Sequence, residues 1–257
     1  NGNYTGNVTG AGNFTFNTTG ASGSYQGIMT MTGGTVNFTG TTSIAIGGPV
    51  TSVGLVNVTS NGAVILGSNI TVTGAGNRLL VKAMGAISIN SGISLQTNNG
   101  DMVFWSNSTA GNSSNGILLA TLNTTGFNSF NTANGSTTQT TGGGRLVFAG
   151  GLDNGANGGV ANDGIPDGFA YSTATTTAGV RFGMSGVTTN TVNMYTGGGD
   201  FIMRGQSTTA QGVLQLGGLN LNTGNGTISI TGVSSAHNGI DLANGGDLSP
   251  VNMISYA

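Results

Sequence analysis

One phrase recurs along this chain and limits what the chain can become. "TGAGNRLLVKA" (73–83), "TNNGDMVFWS" (97–106), "TGGGRLVFAG" (141–150), "TGGGDFIMRG" (196–205) and "TGNGTISITG" (223–232) share one plan. Each joins a turn of small residues to one polar residue and a short, mostly apolar run. With that polar residue as zero, positions one and three hold Leu79 and Val81, Met102 and Phe104, Leu146 and Phe148, Phe201 and Met203, and Ile228 and Ile230. Side chains two apart share one face of a strand. Short period-2 runs bounded by Gly and Asn argue for strands. No stretch of ten residues keeps a convincing helical spacing, and each Gly would cost a helix about 1 kcal/mol.

A second strand family reads Gly, apolar, any, apolar. It begins at Gly27, Gly54, Gly92, Gly116, Gly179, Gly212 and Gly239, and several gaps fall between 24 and 33 residues. That length suits one coil of a solenoid with two or three strands per coil. The expected fold is therefore all-β, a parallel β-helix (solenoid) with loop insertions, running as a single segment over 1–257. Inward residues would stack into a narrow apolar core. Outward Thr, Asn and Ser would form ladders, and Gly and Asn would turn the corners. About nine to eleven coils at ~4.8 Å each give a rod of roughly 45–50 Å. A β-sandwich or propeller, with hairpins and strands every 8–12 residues, is the competing architecture.

Composition narrows the function classes. The chain has 50 Gly and no Cys, with 5 % charged residues and a net charge of −2. Disulfides, thiol catalysis and thiolate metal sites are excluded. Five basic residues (Arg78, Lys82, Arg145, Arg181, Arg204) cannot build a phosphate-neutralising patch, so no nucleic-acid partner is expected. No apolar run approaches the ~20 residues that span a bilayer, so membrane insertion is not expected. The chain starts with Asn, no signal peptide is visible, and it reads as a piece of something longer.

Two features of the repeat are less ordinary. Position zero alternates in charge (Arg78, Asp101, Arg145, Asp200), so opposite charges could face each other along a stack or simply keep the rod soluble. Position two should point outward, yet it is apolar in Leu80, Val103, Val147 and Ile202. An outward apolar stripe needs a cover, and the inserted segments of the same chain are the nearest candidates.

Three stretches break the rhythm: about 107–115, 126–140 and 151–178. The first two are neutral spacers. The third holds Asp153, Asp163 and Asp167 among Asn and Gly. Its "NDGIPDG" is similar to calcium loops of bacterial surface modules and thrombospondin-type repeats, which makes Asp153, Asp163 and Asp167 candidate calcium ligands. It lacks the full D-x-D-x-D-G spacing and any Glu. The other reading is a cluster of Asp/Asn-Gly turns with one bend fixed by Pro166.

No enzyme is expected. Glycosidases need paired carboxylates. Asp163 with Asp167 is a weak pair, and Asp200 with Arg204 or Asp241 with Asp247 weaker. His237, the single His, sits in a turn-like "SSAHNG". No P-loop or dinucleotide fingerprint occurs. Sequons at Asn3, Asn7, Asn13, Asn37, Asn57, Asn69 and Asn123 follow from abundant Asn and Thr, whether or not any carries a glycan.

"NNGDMVFWSNS", "GGGRLVFAGGLDNGANGG", "NDGIPDGFA", "AGVRFG" and "GGGDFIMRGQ" resemble the repeat region of filamentous-haemagglutinin-like bacterial surface proteins over roughly 60–245. The resemblance implies a right-handed parallel β-helix exported as a long rod, with a role in adhesion, surface coating or filament formation. The expected place is extracellular, at the cell surface. The expected partners are neighbouring copies or adjacent repeats of one giant chain, and host or cell-surface glycans. A carbohydrate-binding or carbohydrate-cleaving β-helix is the alternative, with Trp105 and Tyr195 as its hints. An ice- or mineral-binding Thr face is a further one, although "TMT" at Thr30 and "TVT" at Thr71 do not read as in register over many coils.

Overall fold

The computed structural model describes residues 2–20, 22–109, 116–119, 127–174, 177–183, 191–242 and 251–256. Residues 110–115 of the first expected insertion, the Asn123 sequon and Asp247 lie outside them. The described residues form a parallel β-helix. Three sheets of nine strands each run the length of the stack, and every pairing between named strands is parallel. A typical coil takes one strand from each sheet: Ala63–Leu66 in the first, Ile70–Val72 in the second and Leu79–Ala83 in the third. Nine coils stack, the last placing strands in the first two sheets only, so the length is about 40 Å at ~4.8 Å per coil.

The first strand family stacks as expected. Leu79, Met102, Leu146, Phe201 and Ile228 are register partners in turn. The second family mixes sheets. Gly116, Gly179, Gly212 and Gly239 precede one column of the first sheet, Ile117, Val180, Val213 and Ile240. Gly27 and Gly92 precede strands of the second sheet and Gly54 one of the third. The coil itself is shorter than 24–33 residues where nothing is inserted: Val36, Val56, Leu79 and Met102 are stacked partners at intervals of 20, 23 and 23.

Inward side chains form one continuous apolar core along the axis. Its aromatics stack because register places them one above another. Phe104 and Phe148 lie with centroids 4.8 Å apart and rings 5° from parallel, and Phe130 meets both edge-on at 5.6 and 5.4 Å. Outside, Asn ladders run along the stack. Asn57 Nδ2 donates to Asn37 Oδ1 at 3.0 Å, and Asn252 and Asn220 donate to Asn220 and Asn193 at 2.8 and 2.9 Å. Thr9, Thr30, Thr51 and Thr71 also stand in register over four coils, a longer Thr column than the sequence suggests.

The corner before the third sheet has a common lock. Thr97, Thr196 and Thr223 are fully buried, and each hydroxyl donates to the carbonyl three residues on, at Gly100, Gly199 and Gly226. In the coil of the recurring phrase at 141–150, the lock is Thr132, which donates to Gly144 O. Thr141 only resembles it in sequence. Strand Phe127–Asn131 belongs to the second sheet, so the insertion expected at 126–140 is really 133–143, spliced into the corner.

Coils this close leave no space for side chains where backbones cross. A Cβ on Gly54 would stand 1.4 Å from the Gly34 carbonyl oxygen, whereas one on Gly12 meets nothing within 4 Å. Gly54→Ala should destabilise the fold by at least the ~1–3 kcal/mol typical of overpacking, read as a lower urea midpoint. Gly12→Ala should leave it unchanged or slightly raised. Phe104→Ala should cost about 3–5 kcal/mol by opening the aromatic stack.

Candidate functional site

The largest departure from a bare solenoid starts inside a strand. Leu146–Gly150 runs in the third sheet, and then the chain leaves the stack. It returns beside its point of departure through an antiparallel bridge, Gly150 to Gly168, and resumes the same line as Ala170–Ser172. The seven-residue strand Phe201–Ser207 of the next coil spans the break. Its first half pairs with 146–148 and its second with 170–172. The insertion expected at 151–178 is therefore 151–169, and the rest of that segment in part rejoins the coil.

The inserted loop folds back over the outward apolar stripe. Leu80, Val103, Trp105, Val147, Ala149 and Ile165 form a second buried cluster, with Ile202 at its margin. Ile165 comes from the loop and the others from the sheet, so the chain does cover its own stripe. Polar contacts fix the cover around its rim. Trp105 Nε1 donates to Gly151 O at 2.7 Å. Arg204, 9 % exposed, donates from Nη1 to Pro166 O at 3.1 Å and from Nη2 to Asn157 O at 3.5 Å. Arg145 grips Asp101 through Nε and Nη2, at 3.1 and 2.8 Å, and reaches Asp163 with Nη1 at 3.2 Å. Those hydrogen bonds, the one to Asp101 first, hold the Arg145 guanidinium above its ordinary pKa. Position-zero charges thus do pair across the ladder at Asp101 and Arg145. Asp200 instead accepts from the Thr227 amide and hydroxyl.

Lys82 completes the rim, its Nζ 3.7 Å from the centroid of the Trp105 ring in the next coil. Burial pushes its ammonium below the ordinary value, the Asp153 carboxylate opposes that shift, and Arg78 adds to it. Trp105 is therefore enclosed, not offered as an aromatic platform.

The three candidate calcium ligands take separate jobs within the loop. Asp167, 1 % exposed, accepts the Asn154 and Gly155 amides on Oδ2 at 2.8 and 2.6 Å. Asp153 accepts the Asp163 and Gly164 amides, at 3.3 and 2.8 Å. Asp163 accepts the Ile165 amide on Oδ1 and Arg145 on Oδ2. Among the described residues, no group of three or more His, Asp or Glu gathers as a metal-binding set. Asp163 thus closes a local Asx turn, while Asp153 and Asp167 tie together parts of the loop 10 to 13 residues apart. His237 is exposed, and its amide donates to Ser234 Oγ in a turn.

A cleft of about 460 Å³ opens between the loop stem and the resumed strand. Its sides include Leu152 and Asn154 from the loop stem, Phe169 at the end of the loop, Tyr171 from the strand, Gln206 from the next coil, and Asn107. Sequence reasoning passed over Phe169, Tyr171 and Gln206. The available signal was the alternation of Phe169 and Tyr171 about Ala170, a strand pattern inside what reads as a loop.

No protein-family model, curated protein or solved structure matches the chain.

Removing the Asp167 carboxylate leaves two loop amides without their acceptor, at a cost of about 1–3 kcal/mol. Asp167→Ala should therefore speed limited proteolysis within 151–169 while the coil core stays protected. Calcium or a chelator should leave the thermal midpoint of the unsubstituted chain unchanged.

Proposed function

We propose that this chain is a structural segment of an extracellular, cell-surface β-helical rod that works by stacking end to end. The adhesin stalk, surface coat or extracellular fibre of a bacterium is the setting this reading favours. The observation that carries it is the state of the two end coils. At one end Tyr4, Val8, Phe14 and Phe16 are register partners of the buried Tyr25, Met29, Val36 and Phe38. At the other, Ile228, Ile230, Ile240, Val251 and Met253 are partners of the buried Phe201, Met203, Val213, Leu219 and Leu221. The end residues point along the same inward columns but are only partly covered by the described residues, with Tyr4 38 % and Ile240 40 % exposed.

Among the described residues, both end coils therefore carry inward columns and strand edges that no further coil pairs. Such edges template further strands. Another coil, from an adjacent repeat of the same giant chain or from a neighbouring copy, would extend each column without changing register. The mechanism is mechanical and associative. Hydrolysis of a glycan gains no support, because no acid or His is among the residues that line the cleft.

Sedimentation velocity and negative-stain microscopy test this. The chain should lengthen with concentration into rods of the same width, in steps of about 40 Å by the coil rise. Phe16→Lys and Ile230→Lys, each placing a charge in an end column, should hold it as single short rods. A chain that stays monomeric at high concentration, or one that associates side by side, would overturn the proposal.

A further inference from the structure

We propose that the cleft between the 151–169 loop and the third sheet binds a neutral oligosaccharide. The inference stands apart from end-to-end stacking, since it uses the flank of the rod and none of its end residues.

Local chain geometry creates the site. Ala170 is buried in the axial core, so Phe169 and Tyr171, on either side of it, both face outward. Tyr171 is the register partner of Gln206, which puts a ring and an amide side by side one coil apart. The stem of the loop passes close because Gly150 and Gly168 bear no side chains. A Cβ on Gly168 would stand 2.8 Å from Gly150 O, and Gly151 turns the chain at φ +74°. Leu152, 47 % exposed, and Asn154 then form the facing wall.

The chemistry of this lining selects the ligand. A ring face carries partial negative charge and attracts the polarised C–H face of a sugar. Side-chain amides offer donors and acceptors together, which matches hydroxyls that also do both. The neighbouring charges are already committed. Asp167 is turned toward the Asn154 and Gly155 amides, and Arg204 toward the Pro166 and Asn157 carbonyls. An anionic ligand would find no free cation among the lining residues, and a cation no free carboxylate. The volume, with apolar walls and a few polar groups, lies in the ordinary range for a small-ligand site.

Isothermal titration of the 257-residue chain with cellotetraose, tetra-N-acetylchitotetraose, mannotetraose and a heparin tetrasaccharide tests the proposal. At least one neutral tetrasaccharide should bind saturably in the millimolar range or tighter, and the heparin fragment should not. Tyr171→Leu and Gln206→Leu should each weaken that binding tenfold or more, with the unfolding midpoint unchanged. Ile65→Ala, on the first sheet, should bind as the parent does. Absence of saturable binding by any neutral sugar would overturn the proposal. Retention of affinity in either cleft variant, or tighter binding of the heparin fragment, would do the same.

Discussion

The backbone hydrogen bonds that run along the axis, from each coil to the next, set the terms for every side chain. Once Leu79 lies over Val56 and under Met102, the whole third sheet is in register, and a slip of one residue would turn the core outward. Each inward position becomes a column, so an aromatic in one coil is best served by an aromatic in the next, as with Phe104 and Phe148. Outward Asn residues form ladders where register aligns them, as with Asn37 and Asn57, or Asn193, Asn220 and Asn252. The same rule brings charges distant in sequence together where their strands are neighbours. Asp101 and Arg145 meet because their strands are neighbours, although 44 residues of sequence separate them.

Parallel sheets are ordinarily covered on both faces. A narrow solenoid covers only the inner one, and this chain tolerates that wherever its outer face is Thr, Ser or Asn. Through the middle coils the outer face turns to Leu80, Val103 and Val147, and there the 151–169 loop supplies a second layer. The loop can leave from mid-strand without breaking the sheet because Phe201–Ser207 spans the gap and holds both halves in line. One coil thus acts as a splint for its neighbour's insertion. That arrangement sets one wall of the cleft, Tyr171 and Gln206, on paired backbone, which favours a fixed geometry there.

The features legible in the sequence were those that repeat within one sheet. The apolar pairs from Leu79 to Ile230 announced their strands because period 2 and Gly boundaries coincide in each copy. The outward stripe announced its need for a cover for the same reason. The coil length was harder to read, since a Gly before an apolar pair marks a corner without saying which corner. Gly27, Gly54 and Gly116 precede three different sheets. Thr132 was hidden because its corner holds eleven residues, 133–143, where the other Thr-locked corners hold two, while Thr141 sits in the familiar phrase with no corner to lock. Ala170–Ser172 was hidden too, since the alternation of Phe169, Ala170 and Tyr171 is too short to stand out from a loop and becomes a strand only through Gly205–Ser207.

The distribution of charge argues that the two faces of this rod do different work. Residues 1–77 contain no Asp, Glu, Lys, Arg or His, yet those coils fold on apolar columns and amide ladders alone. Of the twelve charged residues, eight lie in or beside the 151–169 insertion: Arg78, Lys82, Asp101, Arg145, Asp153, Asp163, Asp167 and Arg204. Arg78 Nη1 lies 2.8 Å from where a Cβ on Gly164 would stand, close against the loop tip. Charges spread for solubility would be scattered over all nine coils. Gathered here, they fix one loop in one orientation, which stacking of coils does not require. A precise loop on a repetitive shaft is what the proposed side-facing site needs, whereas the proposed stacking of coils would draw only on columns and strand edges.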